Sequence, residues 1–165
     1  MRSLKKNKQT LKYALLIGKL PVYALDENGN KKIAYTKKDG TVVYEIVGDK
    51  EMTYTTPKEF DVNIAMSGGE AEAREFGLST SDYEAILSYS KGAFPLVEGA
   101  LIWHHNKVGY RNDGQVVEIQ TKDGKVIKTK NPDPFTADYS VIKIPQGLNE
   151  ERAILKAVVN NKGNA

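Results

Sequence analysis

The chain has no cysteine among its 165 residues, which excludes a disulfide framework and any metal site built from thiolates. It also lacks an apolar run long enough to cross a membrane, and no apolar stretch lies near its start. We therefore expect neither a membrane span nor a signal peptide. These absences favour a soluble protein of the cytoplasm.

Motifs that carry catalysis are missing as well. The sequence has no glycine-rich phosphate loop and no Gly-x-Ser-x-Gly nucleophile pattern. Its only two histidines, His104 and His105, lie in the segment WHHN. Adjacent residues of a strand point to opposite faces, and no carboxylate spacing completes a zinc site there. We predict no enzyme, and no catalytic, cofactor-binding or metal-binding residues.

Acidic residues are absent from the start of the chain. Residues 1–12 hold five bases and no acid, whereas residues 45–98 hold eleven acids and four bases, although the net charge is only +3. Opposed charge on one chain suits ordered contacts between copies of a protein. The candidate partner-binding residues are bases of the N-terminal arm and of a lysine-rich hairpin: Arg2, Lys5, Lys6, Lys8, Lys122, Lys125 and Lys128.

Short β-strands separated by turn signals make up most of what the chain does contain. Phe60, Val62, Ile64 and Met66 alternate with polar or small residues, which predicts one buried face with Asp61 and Asn63 pointing outward. The segments DENGN, KKDG and KDGK predict hairpin turns. Further strands are expected over 12–17, 21–25 (with breaks at Gly18 and Pro21), 33–36, 41–47 (ending at GDKE), 83–89, 100–105, 116–121, 126–130, 139–144 and 153–159.

The acidic segment MSGGEAEAREFGLS predicts one short helix, over 69–76. Ser67 is a candidate N-cap, and Glu70 and Glu72 in the first turn complement the helix dipole. A catalytic reading would use Glu70, Glu72 or Glu75 as acid or base, but no partner His, Cys or metal motif lies nearby. A helix this short needs packing to survive, so we interpret it as architecture.

These elements predict a mainly β fold: a small antiparallel β-barrel or sandwich with long hairpins and one short helix. We expect a single domain over 1–165, with a basic arm at 1–10, a hairpin insertion at 106–136 and a flexible tail at 160–165. One of two polar hairpin regions, 26–47 or 106–130, is expected to project from the barrel as a ribbon.

Four stretches together resemble a known family: MRSLKKNKQTLKYAL, YTTPKEFDVNIAMSGGEAEAREFG, DYEAI and DYSVIKIPQGLNEERAILKAV. In this order and spacing they are similar to head-closure proteins, also called stoppers or head–tail connectors. Such proteins are encoded by long-tailed phages and prophages of Gram-positive bacteria. The chain departs from the family pattern at 26–47, where the hairpins are long, and at 106–136.

The resemblance implies a β-barrel-like subunit of a six- or twelve-fold ring. Such a ring assembles in the host cytoplasm below the portal, closes the channel after DNA packaging and connects head to tail in the virion neck. The implied partners are further copies of the chain, the portal or adaptor ring, and tail proteins. The family has no cofactor and no catalytic residues, and the lysine-rich loops suit sequence-independent contact with packaged DNA.

Two other functions remain open at this point. One is an OB-like barrel that binds single-stranded nucleic acid, which would need its aromatic side chains in a stacking stripe. The tyrosines are instead scattered, about one to each element. The other is a tail-completion subunit of the same particle, which gene order would distinguish from a stopper.

Overall fold

A computed structural model of the chain describes residues 8–66, 85–145 and 147–158. The described residues are mainly antiparallel β-strands, which confirms the predicted fold class. The predicted helix at 69–76 and the tail at 160–165 lie outside them, as do Arg2, Lys5 and Lys6. The strands are β1 Lys8–Ala14, β2 Leu16–Tyr23, β3 Ile33–Thr36, β4 Val42–Tyr44, β5 Ile46–Tyr54, β6 Lys58–Met66, β7 Ala85–Ser90, β8 Leu101–Trp103, β9 Val116–Gln120, β10 Val126–Lys130, β11 Tyr139–Lys143 and β12 Glu150–Ala157.

The strands fall into two compact units. The barrel unit comprises Met1–Leu15, Lys58–Val108 and Pro134–Ala165, and the sheet unit comprises Leu16–Pro57 and Gly109–Asp133. A compact unit is a domain only if it can fold alone. The expectation of a single domain therefore stays a prediction.

The barrel unit is a closed sheet with the strand order β1-β6-β7-β12-β11-β8. Its interior is filled by side chains, as expected for a barrel of so few strands. Edge-to-face aromatic pairs join Phe60 to Tyr13, at 4.9 Å between ring centroids, and to Phe94, at 5.0 Å. The buried core consists of Leu11, Tyr13, Phe60, Val62, Ala85, Leu87, Tyr89, Leu96, Ala100, Ile102, Val141, Ala153 and Leu155.

Strand β6 confirms the predicted alternation over most of its length. Phe60 and Val62 are buried and Asp61 is exposed, but Asn63, predicted to point outward, is half-buried like Ile64, which packs partly against the core. The prediction is wrong for Met66, which is 60% exposed. Met66 is the last residue of β6, and its long side chain is exposed at the strand end although its small partner Ala85, the first residue of β7, is buried.

The sheet unit contains a four-stranded sheet, in the order β10-β9-β2-β5, and a two-stranded sheet of β3 and β4. Its buried apolar cluster is small and consists of Val22, Val117 and Ile119, with Ile17 and Leu20 packed against it. The lysine-rich hairpin of β9 and β10 does not project as an isolated two-stranded ribbon, because β9 pairs with β2. Shortening residues 114–129 would remove β9 and most of β10, so we expect it to disrupt folding of the sheet unit.

Two sequence-based boundaries in this unit are wrong. Strand β2 runs through Gly18 and Pro21 instead of breaking at them, because β-bulges against β5 absorb both residues. The strand expected over 41–47 is broken at Glu45 into β4 and β5, and β5 continues through Gly48 to Tyr54, where an end was expected at GDKE. The hairpin turns themselves are confirmed: Gly29, Gly40 and Gly124 all have positive φ.

Candidate interaction surfaces

The lysines predicted to bind a partner have different environments. Lys8 does not belong to a loose arm, because it begins β1 and pairs with Asn63 of β6. Lys122 and Lys125 are exposed around the turn between β9 and β10. Lys128 is engaged within the chain, since its Nζ donates to the carbonyl oxygen of Gly29 at 2.7 Å. Lys122 and Lys125 are therefore the two hairpin lysines best placed to contact a partner.

The β3–β4 hairpin has exposed apolar side chains on both strands. Ile33 is 61% and Tyr35 58% exposed, and Val42 and Tyr44 on β4 are exposed by more than a third. Ile46 and Val47, just after the hairpin, are exposed as well. Among the described strands, β3 and β4 pair only with each other. The hairpin is thus an apolar surface that the described part of its own chain leaves uncovered.

The root of this hairpin is held by main-chain hydrogen bonds. Ala24 N–H donates to the carbonyl of Glu45, Lys32 N–H to the carbonyl of Ala24, and Glu45 N–H to the carbonyl of Lys32, at 2.9–3.1 Å. These bonds fix both ends of the hairpin to the chain that follows β2. Its orientation is therefore set by its base, while its strands remain open to solvent.

A lysine enclosed by aromatic rings and a carboxylate lies at the same root. Lys31 Nζ is 4.7 Å from the ring centroid of Tyr23, 4.8 Å from that of Tyr44 and 3.5 Å from Oε2 of Glu118. Glu118 is buried in β9, at 7% exposure. The two ring faces and the carboxylate all attract the ammonium electrostatically. We call Tyr23, Lys31, Tyr44 and Glu118 the lysine cage; it joins β2, β4 and β9 through one side chain.

Polar side chains also join the C-terminal ends of the two edge strands, β5 and β10. Tyr54 N–H donates to Oδ1 of the fully buried Asn131 at 3.1 Å, and Thr129 Oγ1 donates to the Tyr54 carbonyl at 3.0 Å. Lys130 N–H donates to Thr56 Oγ1 at 3.0 Å. Buried polar groups are stable only when paired in this way. This end of both edges is therefore closed to further strands.

The two histidines do not point to opposite faces, as a strand would require. Strand β8 ends at Trp103, and in the bend that follows the rings of His104 and His105 stack with centroids 3.8 Å apart. One oxygen of Asp138 causes the bend, because it accepts the main-chain N–H groups of 104, 105 and 106 at 2.7–3.0 Å. The strand prediction was wrong here, because a carboxylate distant in sequence captures these donors.

His104 borders a cleft of about 150 Å³ beside Trp103, Lys12, Glu59 and Lys107. Its Nε2 lies 2.6 Å from Oε1 of Gln9. Burial lowers the pKa of His104, and the neighbouring His105 lowers it further, while Asp138 acts in the opposite direction. Folding therefore disfavours the protonated form of this side chain.

We expect this histidine to make the stability of the barrel unit depend on pH. Because the pKa of His104 is lower in the folded chain than its ordinary value of 6.5, the unfolded chain binds the proton more readily. The free energy of unfolding should be highest above that value and fall as the pH drops through the lowered pKa. Urea melts at about pH 7.5 and about pH 5.5, followed by fluorescence of the single tryptophan, measure the loss.

The matched variants are His104→Asn and His105→Asn. His104→Asn should reduce the loss of stability at acid pH. His105→Asn should keep most of that loss, because burial is the largest cause of the lowered pKa of His104. An acid loss that is unchanged in His104→Asn would assign the pH dependence to other groups.

Within 8–66, 85–145 and 147–158, no group of three or more histidine, aspartate or glutamate side chains is placed to hold a metal ion. In the same residues, no helix has the length and apolarity to cross a membrane. Comparisons with protein-family models, curated proteins and solved structures find no match.

The lysine cage and the apolar hairpin were not predicted from the sequence. A signal for the hairpin exists in the segments IAYT and VVYEIV, which lack the polar alternation of a strand with one face in water. No spacing links Lys31 to Glu118, because 87 positions separate them and only the pairing of β2 with β9 brings them together.

Proposed function

We propose that the chain is a head-closure protein of a tailed phage. In this proposal it assembles as a ring below the portal, closes the DNA channel after packaging and connects head to tail. The observation that carries the proposal is the way the family-like stretches map onto the fold. Strands β1, β6, β11 and β12, and the first residues of β7, lie within those four stretches, and all five strands belong to the closed barrel.

The departures from the family pattern fall mainly in the other unit. Region 26–47 and most of 106–136 belong to the sheet unit, which carries the long hairpins. A closed barrel joined in one chain to a unit of long hairpins suits a subunit that contacts its neighbours through loops. This division supports the proposal, because the resemblance implies a barrel-like subunit whose loops mediate assembly and gating.

In the proposed ring, the filled barrel limits where the channel runs. Side chains occupy the interior of the barrel, so DNA cannot pass through a single subunit. Any passage for DNA must be bounded by several subunits, which is the arrangement a ring supplies. Lys122 and Lys125, exposed on their hairpin, are then candidates for sequence-independent phosphate contacts.

The OB-like alternative fits the tyrosines poorly. Tyr13, Tyr54 and Tyr89 are buried, and Tyr23 and Tyr44 flank Lys31 in the lysine cage. Stacking on successive bases needs exposed rings along one groove. Three of these five rings are buried, and the other two face the ammonium of Lys31, so the five do not form such a groove and we favour the head-closure proposal.

The experiment is a nonsense mutation of this gene in the phage or prophage that encodes it. We expect heads that package DNA but lose it, so that their DNA becomes sensitive to nuclease, and tails that stay unattached. Supplying the wild-type chain from a plasmid should restore both properties. Antibody labelling of wild-type particles should mark the vertex between head and tail.

The alternatives give different outcomes in the same experiment. A tail-completion protein would leave full, nuclease-resistant heads beside defective tails. A single-stranded nucleic-acid-binding protein would reduce DNA synthesis before any heads form. Either result would contradict head closure.

A further inference from the structure

The β3–β4 hairpin has the sequence of a buried element but is exposed to solvent. The absence of polar alternation in IAYT and VVY is typical of strands that are covered on both faces. Yet all four residues of β3 are exposed, as are two of the three residues of β4. A two-stranded ribbon with both faces in water is marginally stable. The pattern therefore points to a surface that another protein covers.

The base of the β3–β4 hairpin is already ordered, which favours docking. Main-chain bonds among Ala24, Lys32 and Glu45 and the enclosed ammonium of Lys31 fix its base. A preorganised element loses less conformational entropy on binding than a mobile loop. Burial of the exposed side chains of β3 and β4 can thus contribute favourable free energy to association.

We propose that this hairpin docks onto the free edge of β5 in a second copy of the chain. The four-stranded sheet has two edges, β10 and β5. The β10 edge carries Lys128 and Lys130, with Lys125 just before it, and lysines on an edge discourage strand addition. The hairpin has lysines of its own at 32, 37 and 38, so like charges add to the repulsion there.

The β5 edge has exposed apolar side chains, which complement those of the hairpin. Ile46, Val47 and Met52 on this strand are each exposed by 40% or more. Strand addition would pair the open main-chain groups of hairpin and edge, and would bury apolar side chains of both. Among the described residues, Asn131 closes the end of β5 near Tyr54. The stretch 46–52 is the acceptor.

The hairpin cannot reach the β5 edge of its own chain. Only Glu45 separates the end of β4 from the start of β5, and its N–H is bonded to Lys32. Reversing a strand onto its neighbour takes a turn of at least about two residues. The acceptor must therefore belong to another copy.

Hairpin and acceptor edge are different surfaces, so the contact is heterologous and repeats from copy to copy. A heterologous contact closes into a ring when the rotation permits. This step rests on the proposed function, because the ring of the neck supplies the closure. The docking itself requires only a second copy.

Cross-linking tests the contact directly, since the chain has no cysteine of its own. Tyr35→Cys and Met52→Cys are made as separate proteins, mixed and oxidised at increasing concentration. We expect a mixed disulfide between the two variants as the main product, and little disulfide in either variant alone. A Tyr35→Cys homodimer as the main product, or no cross-link in the mixture, would overturn the proposal.

Sedimentation tests the energetics with a matched control. Ile33→Glu/Tyr35→Glu changes two side chains that are more than half exposed, so the fold should persist in circular dichroism and thermal melts. Self-association should weaken by about thirty-fold or more, the effect of losing one interface hot spot. Val97→Glu, at a half-exposed position of the barrel unit, should associate as the wild type does. Equal association of the hairpin variant and this control would refute the docking.

The outcomes separate this inference from the proposed function. If no mixed disulfide forms but the chain lies at the neck and the heads retain DNA, the docking proposal is refuted and head closure stands. If the mixed disulfide forms but the chain is absent from the neck, docking is supported as self-association and head closure is refuted.

Discussion

Leu87→Ala is expected to lower the free energy of unfolding of the barrel unit by about 2–5 kcal/mol. Leu87 lies in β7, is fully buried and belongs to the core of the closed barrel. Truncation removes apolar contacts and leaves a cavity that the closed sheet cannot readily collapse. Urea melts followed by tryptophan fluorescence report on this unit, because Trp103 lies in β8 and is buried.

Two controls remove side chains that pack less fully. Ile64→Ala, for which the alternation of β6 alone predicts a similar loss of about 2–5 kcal/mol, should fall below Leu87→Ala because Ile64 is only partly buried. Ile33→Ala, at a position 61% exposed, should stay within about 0.5 kcal/mol of the wild type. If the three variants melt alike, the side chains of β7 do not form the core described here.

Local sequence signals predicted the parts of the fold that depend on neighbours in sequence. Strand β3 and the β9–β10 hairpin lie where turn chemistry and β-rich segments placed them. The positive φ of Gly29 and Gly124 follows from the Asn-Gly and Asp-Gly pairs alone. Mainly β architecture followed from the same signals, because about ten short strands with regular turns suit a barrel or sandwich.

Features that depend on distant residues were not predictable. Gly18 and Pro21 break a strand by local rules, but the bulged pairing with β5 accommodates both. His104 and His105 stack because Asp138, more than thirty positions away, holds the main chain between them in a bend. No periodicity encodes such a contact.

The sequence also does not predict which apolar strands are exposed to solvent. Apolar residues without alternation predict a strand but do not say whether its own chain covers it. For β8 the chain does, since Leu101, Ile102 and Trp103 are all buried in the barrel unit. For β3 it does not. The difference arises because β8 pairs with β1 and β11, whereas β3, among the strands that the structure describes, pairs with β4 alone.

Lys31→Met is expected to cost about 3 kcal/mol of stability, the lower end of the range for breaking a buried ion pair. The variant keeps an unbranched side chain of similar length between Tyr23 and Tyr44, so packing changes little. What it removes is the ammonium, which leaves the buried carboxylate of Glu118 without its cation. We choose the lower end because 23% of the Lys31 side chain is exposed, so solvent screens part of the charge.

A double variant separates charge from packing in the lysine cage. Lys31→Met/Glu118→Leu replaces both charges with apolar groups, and its stability should return to within about 1 kcal/mol of the wild type or exceed it. Lys32→Met, at the exposed neighbouring position, should change stability by less than about 0.5 kcal/mol. Chemical unfolding followed by far-ultraviolet circular dichroism measures all three variants. A loss in the double variant as large as in Lys31→Met would show that the cage stabilises the sheet unit by its shape and not by the pairing of lysine with glutamate.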